Sequence, residues 1–278
     1  MRIIDTHLHL SYRDRFSHPW MQAYLPIDRT WTAEGYFAQA APLGIVAALH
    51  MENDVPEEQM FAETAFMAGV HPNVVGAIAA GRPERADFPA HLARLRDMPH
   101  VRGVRRILHV APDELSTSSL FVQNVRMLAD AGLTFDLCVR ADQLDKAYSL
   151  AAAVTDVQFI VDHCGNPNIV SQGFQPWSIG LARIASLPNV VAKLSGITIN
   201  AGPDWSVATL RPYVDRLIAE FGWDRIVWGS DHPVVTLTGS LERWVGATHE
   251  LLAAASDEER AKVLHGNAER IYRIGDLP

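Results

Sequence analysis

MRIIDTHLHL, residues 1–10, carries an acid and two imidazoles at alternate positions, namely Asp5, His7 and His9. Successive side chains of a β-strand point to opposite faces, so this spacing places Ile3 and these three side chains on one face. The even-numbered residues, which are mostly apolar, lie on the other face. Such a strand fits a position between packed helices and a polar chamber. The stretch therefore predicts an enclosed polar site beside the first strand.

Eight short β-rich runs alternate with helical segments along the chain. After the opening strand, the runs are residues 44–52, 74–81, 101–108, 133–139, 157–163, 189–196 and 224–231. A strand–helix–strand unit joins parallel strands, and eight such units close a (β/α)8 barrel. An open doubly wound sheet would show a Gly-rich phosphate loop after its first strand, and this sequence has none there. We predict an α/β chain with a (β/α)8 TIM-barrel fold. The first helix is expected to begin near a cap at Thr30 or Thr32, and the second at residues 55–56 with Asp54 as its cap.

The length and composition fit one large domain. The chain has 278 residues, 48% of them hydrophobic and 20% charged, which is enough for a barrel with a large core. We predict a single barrel over residues 1–278, with two short helices from about residue 256 covering its outer wall.

Charge and cysteine content restrict the partners and the location. The net charge of −8 and the lack of a Lys/Arg run argue against nucleic-acid binding, and no apolar run reaches the roughly 20 residues that span a membrane. The N-terminus shows no secretory pattern, and only two cysteines, Cys138 and Cys164, are present, so we expect a reducing, cytoplasmic location. We interpret both thiols as inert because no base is placed to pair with them. The oligomeric state is not indicated.

Polar side chains concentrate at the ends of the predicted strands, where barrel enzymes hold their active sites. They are His7, His9, His50, Arg105, Asp136, His163, Lys193, Ser195 and Asp231. So many polar residues at these positions predict an enzyme whose site lies at the C-terminal rim of the barrel.

His7 and His9 form a His-x-His pair. On a strand both imidazoles point the same way, which suits one metal ion or one substrate group. Asp231 ends the last strand and approaches this pair if the barrel closes, where its carboxylate would act as a general base toward water. A turn aspartate that starts the next helix is the structural alternative.

Three more residues are candidates for the site. His163 is interpreted as a metal ligand or a carbonyl-polarising imidazole, with the preceding Asp162 pointing to the other face or into the loop. Arg105 is predicted to bind a carboxylate or polarise a carbonyl from the interior. His50 is predicted to add a substrate contact.

Lys193 and the segment 11–29 are predicted to have roles outside the chemical step. Lys193 is expected to pair with an interior acid such as Asp136. Residues 11–29, rich in aromatic residues and charge, are predicted to cover the barrel mouth and determine specificity, with Trp20 as a candidate lid contact.

The motifs at these positions resemble those of the amidohydrolase superfamily, in particular its amidohydrolase-2 branch, which includes sugar-acid and dicarboxylate lactonases. They are DTHLHL (5–10), HME (50–52), GVRRIL (103–108), DLCVRADQL (136–144), DHCGNP (162–167), KLSGI (193–197), RIVWGSDHP (225–233) and GNAERIY (266–272). They follow the order of the family across nearly the whole chain. The resemblance implies a (β/α)8 hydrolase.

The resemblance also implies roles for site residues. The metal-binding positions of the superfamily correspond to His7, His9, His163 and Asp231. These would hold one divalent ion, with zinc the first expectation, although the lactonase branch can work without metal, so we expect no obligatory cofactor. The fourth strand has arginine where a carboxylatable lysine would support a binuclear centre. Asn166 and His232 stand where relatives commonly carry Lys and Trp, which bears on the substrate.

Three functions follow from these observations. The leading one is hydrolysis of a small lactone, carboxylated or polyhydroxylated, from a sugar acid or an aromatic-degradation intermediate, with Asp231 as general base and then acid. A metal-dependent decarboxylase of the same branch is the first alternative. A non-catalytic sugar-acid binding protein is the second, although such a protein has no use for a poised Asp231.

Overall fold

Eight parallel strands form one sheet in the computed structural model, which describes residues 1–171, 173–275 and 277. Each strand lies within one of the eight predicted runs. They are β1 (Ile3–Leu8), β2 (Ile45–Met51), β3 (Val74–Ala80), β4 (Val101–Ile107), β5 (Thr134–Cys138), β6 (Phe159–Val161), β7 (Val190–Leu194) and β8 (Ile226–Trp228).

The strands pair in sequence order, and the last returns to the first. Every consecutive pair from β1 to β8 is parallel. Across the seam, a parallel bridge joins Leu8 to His232, and the amide of His9 donates to the carbonyl oxygen of His232 at 2.8 Å. The predicted (β/α)8 barrel is therefore confirmed.

Helices follow every strand and surround the barrel. They are α1 (Ala33–Ala40), α2 (Met60–Met67), α3 (Phe88–Arg96), α4 (Ser119–Arg126), α5 (Leu128–Ala131), α6 (Leu144–Ala153), α7 (Phe174–Ala185), α8 (Ile197–Ala201), α9 (Val207–Phe221), α10 (Leu241–Leu251), α11 (Asp257–Ala261) and α12 (Asn267–Ile271). Among the described residues, none of these helices has the length and apolar character that a membrane crossing requires.

The predicted N-terminal cap is present at the first helix and absent at the second. Thr32 accepts a hydrogen bond from the amide of Gly35, so α1 begins where a threonine cap was predicted. The second helix begins later than predicted, at Met60. Asp54, predicted as its cap, has a left-handed backbone and forms an ion pair with Arg82 instead.

The C-terminal helices close the lower end of the barrel. Ile271 at the end of α12 and the next residue, Tyr272, pack with interior residues of the strands, among them Ile4, Ile160 and Val227. The expectation that this segment covers the outer wall is therefore wrong for α12. Its apolar side chains seal the end of the barrel opposite the predicted site, which leaves the C-terminal rim as the open end.

A bulge in β1 changes which side chains face the interior. Ile4 lies in the interior cluster, whereas Ile3 packs in the cluster between the strands and the helices. The register against β2 shifts after Asp5, whose carboxylate accepts a hydrogen bond from the hydroxyl of Tyr36 on α1. The predicted strict alternation is therefore wrong: Asp5 faces the helix layer, and the bulge turns His7 to the interior.

Candidate active site

A cavity of about 950 Å³ opens at the C-terminal ends of the strands. The predicted residues His9, Arg105, His163 and Asp231 line it. The other lining residues include Trp20, Tyr24, Asn53, Asp54, His109, Cys138, Arg140, Asp142, Asn166, Asn168, Asn200 and Leu237. Its size and its few convergent polar groups are typical of a small-molecule site.

His7, His9 and Asp231 bring their ligating atoms together at the floor of this cavity, and we call them the cavity donor group. Oδ1 of Asp231 lies 3.7 Å from Nε2 of His7 and 3.8 Å from Nε2 of His9. Nδ1 of His9 faces the carbonyl oxygen of Met51 at 3.1 Å. Because a carbonyl only accepts, Nδ1 carries the hydrogen, and the lone pair of Nε2 faces Asp231.

The backbone carries Asp231 to this position across the barrel seam. Its amide donates to the carbonyl oxygen of His7 at 2.9 Å, and its φ of 58° turns the side chain inward. A side chain at the neighbouring Gly229 would come within 2.7 Å of Cβ of His7, so the glycine permits this close approach. Burial raises the pKa of Asp231 well above its ordinary value and lowers the pKa of both histidines well below theirs.

His163 points into the cavity because the backbone adopts a left-handed conformation at this residue, and not because of alternation along β6. Strand β6 ends at Val161, and His163 has a φ of 55°. Its Nδ1 lies 3.0 Å from the hydroxyl of Ser195. A Cβ at Gly196 would come within 2.3 Å of the His163 ring, so the glycine in KLSGI makes room for this histidine. Burial lowers the pKa of His163 to about 4, so its imidazole is neutral at pH 7.

The orientation predicted for Asp162 is wrong. Its carboxylate is fully buried in the interior, with Oδ1 3.5 Å from Nδ1 of His7. The deep donor group, defined as His7, Asp162 and His163, is a second set whose ligating atoms lie within 4.8 Å of one another. The four predicted metal ligands therefore divide between two groups, because His163 joins Asp162 and not the pair His9 and Asp231.

Lys193 lies beneath the deep donor group and pairs with two acids. Its ammonium is 2.5 Å from Oδ2 of Asp136 and 2.9 Å from Oδ1 of Asp162, and all three side chains are fully buried. The predicted pairing of Lys193 with Asp136 is confirmed. Burial raises the pKa of Asp136 to about 7. Burial also opposes charge on Asp162, but Lys193 and His7 outweigh it and hold the pKa of Asp162 well below its ordinary value.

Arg105 extends from β4 to the cavity and is held by Glu52, a residue that received no role from the sequence beyond its place in the HME motif. Nε of Arg105 donates to Oε1 of Glu52, and Nη2 donates to its carbonyl oxygen, both at 2.7 Å. Nη1 lies 3.4 Å from Nε2 of His7. Burial opposes the charge, but Glu52 outweighs it and raises the pKa of Arg105. One edge of the guanidinium remains for a substrate.

His50 lies outside the cavity, so its predicted substrate contact is not supported. Its neighbours Leu49 and Met51 face the barrel interior, and alternation along β2 turns His50 toward the helix layer. There its Nε2 lies 3.8 Å from Oε1 of Glu63 on α2. The side chain is buried and does not line the cavity.

Cys138 has a basic neighbour that the sequence did not reveal. Its sulfur lies 3.2 Å from Nδ1 of His109 at the cavity wall. The expectation that no base lies beside this thiol is therefore wrong. Burial nevertheless raises the pKa of Cys138 and lowers the pKa of His109, so the pair remains a neutral thiol and a neutral imidazole.

The loop 11–29 contributes two aromatic side chains to the cavity. The indole of Trp20 donates to the carbonyl oxygen of Asn53 at 2.7 Å, and its ring centre lies 6.3 Å from that of His9. Tyr24 lies beside Trp20, with ring centres 6.3 Å apart. Trp20, the candidate lid contact, therefore lines the cavity above the cavity donor group.

The upper wall contains two polar residues that sequence reasoning missed, Arg140 and Asn200. Arg140 follows β5 and forms ion pairs with Asp113 at 2.8 Å and Asp142 at 3.0 Å. Asn200 donates to the amide oxygen of Asn166 at 3.2 Å. Arg140 lies in the loop after β5, and Asn200 lies in the short helix α8 after β7, where no periodic pattern marks them. Their position just beyond a strand end is the signal that could have found them.

The cavity donor group fits one divalent ion. Ligands around a tetrahedral ion with bonds of about 2.0–2.1 Å lie about 3.3 Å apart, and the two separations from Asp231, 3.7 and 3.8 Å, are close to this value. Both histidines are uncharged, as metal ligands must be. The guanidinium of Arg105 beside His7 opposes a second positive charge and lowers the affinity for the ion.

Comparison with known proteins relates the chain to one family. The amidohydrolase family pattern matches residues 4–274. An L-fucono-1,5-lactonase of Burkholderia ambifaria is 31% identical over 68% of this chain and 67% of its own. An amidohydrolase of Burkholderia multivorans with bound zinc has a TM-score of 0.91 at 21% identity over 99% of this chain and all of its own. A probable 2-pyrone-4,6-dicarboxylic acid hydrolase of Acinetobacter baumannii has a TM-score of 0.77 at 16% identity, over 98% of this chain and all of its own. At these identities, the two structures establish the fold alone.

Proposed function

Since the chain belongs to the amidohydrolase family, we propose that it is a hydrolase that opens a small lactone. The observation that carries the proposal is a buried carboxylate of raised pKa, Asp231, next to neutral imidazoles and one arginine edge at the floor of a cavity. This combination provides a base for water and positive charge for the oxygen of a carbonyl. The relative named L-fucono-1,5-lactonase supports the same reaction class.

Asp231 is proposed as the general base and then the general acid. Its carboxylate takes a proton from water while the water oxygen bonds to the lactone carbonyl carbon. When the ring carbon–oxygen bond breaks, the protonated carboxyl returns that proton to the alkoxide. The product is a hydroxy acid that releases one proton at neutral pH. Transfer of this kind contributes about 10²–10⁴-fold to rate.

The carbonyl oxygen is proposed to bind between Arg105 and His163. Nη1 of Arg105 is the edge of the guanidinium that Glu52 leaves free. The Ser195 hydroxyl can donate to Nδ1 of His163, and Nε2–H then serves as the second donor. Both donors are held by buried partners, so little reorganisation is needed as negative charge develops.

The charges of the cavity favour a neutral, polyhydroxylated lactone over a dicarboxylate. Among the described lining residues, the permanent cations are Arg105 and Arg140, and each already has an acidic partner. A dicarboxylate would require two unpaired cations to offset its desolvation. Hydroxyl groups can instead bind the amides of Asn166 and Asn200, while Trp20 covers an apolar ring face. We therefore propose a sugar-acid lactone.

A divalent ion remains an optional part of this site. If one is present, we propose that His7, His9 and Asp231 hold it, with zinc the expected ion. A bound ion would polarise the carbonyl and lower the pKa of water. The residues around it would still orient the lactone and transfer the leaving-group proton.

A panel of lactones with a pH indicator tests the proposal. It should contain sugar-acid lactones, an aromatic lactone dicarboxylate and simple aliphatic lactones, each measured before and after chelation. We expect proton release with sugar-acid lactones and little with the dicarboxylate. Ligand-induced thermal stabilisation without turnover would instead support the sugar-acid binding protein. Release of CO₂ from aromatic carboxylic acids, lost on chelation, would support the decarboxylase.

Three wider properties are proposed with this function. We infer that residues 1–278 form one barrel domain, because all eight strands belong to one sheet that α12 closes from below. We propose a small-molecule substrate and no nucleic-acid partner, in keeping with the net charge of −8. A cytoplasmic location is proposed from the two free cysteines, Cys138 and Cys164.

A further inference from the structure

The cavity donor group and the deep donor group share one imidazole. His7 directs Nε2 toward Asp231, at 3.7 Å from Oδ1, and Nδ1 toward Asp162, at 3.5 Å from Oδ1. Its ring centre lies 4.5 Å from that of His163. An imidazole with donor sets on both sides could bridge two metal ions. The chain therefore contains the side chains of a two-ion centre.

A buried ammonium occupies the neighbourhood of the deep donor group. Nζ of Lys193 lies 2.9 Å from Oδ1 of Asp162 and 3.4 Å from Nδ1 of His7. On its other side it lies 2.5 Å from Oδ2 of Asp136. All four side chains are fully buried. Lys193 is charged because two carboxylates face it and a neutral amine would leave them unpaired.

This ammonium opposes a metal ion at the deep donor group. A zinc–carboxylate bond is about 2.1 Å long, so an ion bonded to Oδ1 of Asp162 would lie within about 5 Å of Nζ. Solvent does not screen charges in this buried position, and like charges repel strongly there. The carboxylates of Asp136 and Asp162 already have their compensating charge from Lys193.

We propose that the Lys193 ammonium takes the electrostatic place of a second metal ion, so that the chain holds at most one divalent ion. The single ion binds at the cavity donor group, and the deep donor group is satisfied by the lysine. This proposal does not depend on lactone hydrolysis, since metal content is measured without substrate.

Metal counting in Lys193→Met tests the proposal. Chelator-treated protein is incubated with excess Zn²⁺, desalted and measured by elemental analysis for zinc per chain. Wild type should retain no more than one equivalent and Lys193→Met one equivalent more than wild type. Zinc should also raise the Tm of Lys193→Met more than that of wild type, because the ion replaces the lost charge beside Asp136 and Asp162. Methionine preserves the length of the side chain.

Three further variants separate this role from other effects. Lys193→Met with His163→Ala should lose the additional equivalent, whereas Lys146→Met, at a partly exposed lysine paired with Glu114, should match wild type. If Lys193→Met does not fold, Lys193→Met with Asp136→Leu removes one carboxylate left without a partner, and the same additional equivalent is expected. Two equivalents in wild type, or no additional zinc in the folded variant, would overturn the proposal.

Discussion

Nε2 of His7 and Oδ1 of Asp231 lie 3.7 Å apart where the first and last strands meet. The contact depends on barrel closure, because the amide of Asp231 binds the carbonyl oxygen of His7 and the bulge in β1 turns the imidazole inward. The opening stretch is thus one half of the site and the end of β8 the other. The bulge and the seam together determine the geometry of the base.

Replacement of the base should strongly reduce turnover and preserve the fold. Asp231→Asn keeps the size of the side chain and removes the proton acceptor, so kcat on the active lactone should fall by about 10²–10⁴-fold. The backbone bonds of residue 231 remain, and circular dichroism and Tm should stay close to wild type. Asp142→Asn, at an exposed aspartate of the cavity edge, is the matched control and should retain activity. Wild-type kcat in Asp231→Asn would refute the assigned role.

The activity should depend on pH through the same carboxyl group. Burial raises the pKa of Asp231 well above 3.8, and the base works only when deprotonated. As pH falls through this raised pKa, the carboxyl protonates and kcat/KM should fall; as pH rises above it, activity should reach a plateau. A pH profile of metal-free protein measures this acid limb. A midpoint of the acid limb near pH 3.8 would show that burial does not raise the pKa of Asp231.

The pair of Arg105 and Glu52 should matter for stability as well as for activity. Glu52→Gln leaves a buried guanidinium without its counter-charge, and breaking such a pair costs about 3–5 kcal/mol. Urea unfolding would measure the loss. Arg183→Ala breaks an exposed pair with Asp145 and should cost at most about 1 kcal/mol. Similar losses in both variants would contradict a special role for the buried pair.

The barrel was predictable because its evidence is repeated along the chain. Eight apolar runs with intervening helices produce the same conclusion many times, and an error in one helix start, as at Asp54, does not alter it. The residues at strand ends were predictable for the same reason. Asp231, His9 and His163 follow from the rule that parallel strands present their C-terminal ends at one rim.

The orientation of individual side chains was less predictable, because local backbone changes override alternation. A bulge reverses the facing of β1 after Asp5, and a left-handed residue directs His163 to the cavity although Asp162 holds the interior position of the strand. The prediction for His50 failed for the opposite reason. Alternation holds along β2 and turns His50 away from the cavity, toward the helix layer. Contacts between residues far apart in the chain, such as that between Cys138 at the end of β5 and His109, have no local signature at all.

The lid aromatic should control substrate affinity more than chemistry. Trp20 covers the cavity near His9 but donates its indole hydrogen to Asn53 and not to a reacting group. Trp20→Ala should therefore raise KM for a sugar-acid lactone about 10-fold or more, since burial of a large apolar side chain is worth about 1.5–3 kcal/mol, while kcat changes little. Trp20→Phe keeps an aromatic face without the hydrogen bond and should have an intermediate KM. Steady-state kinetics on all three proteins measures the effect, and a loss confined to kcat would instead place Trp20 in the chemical step.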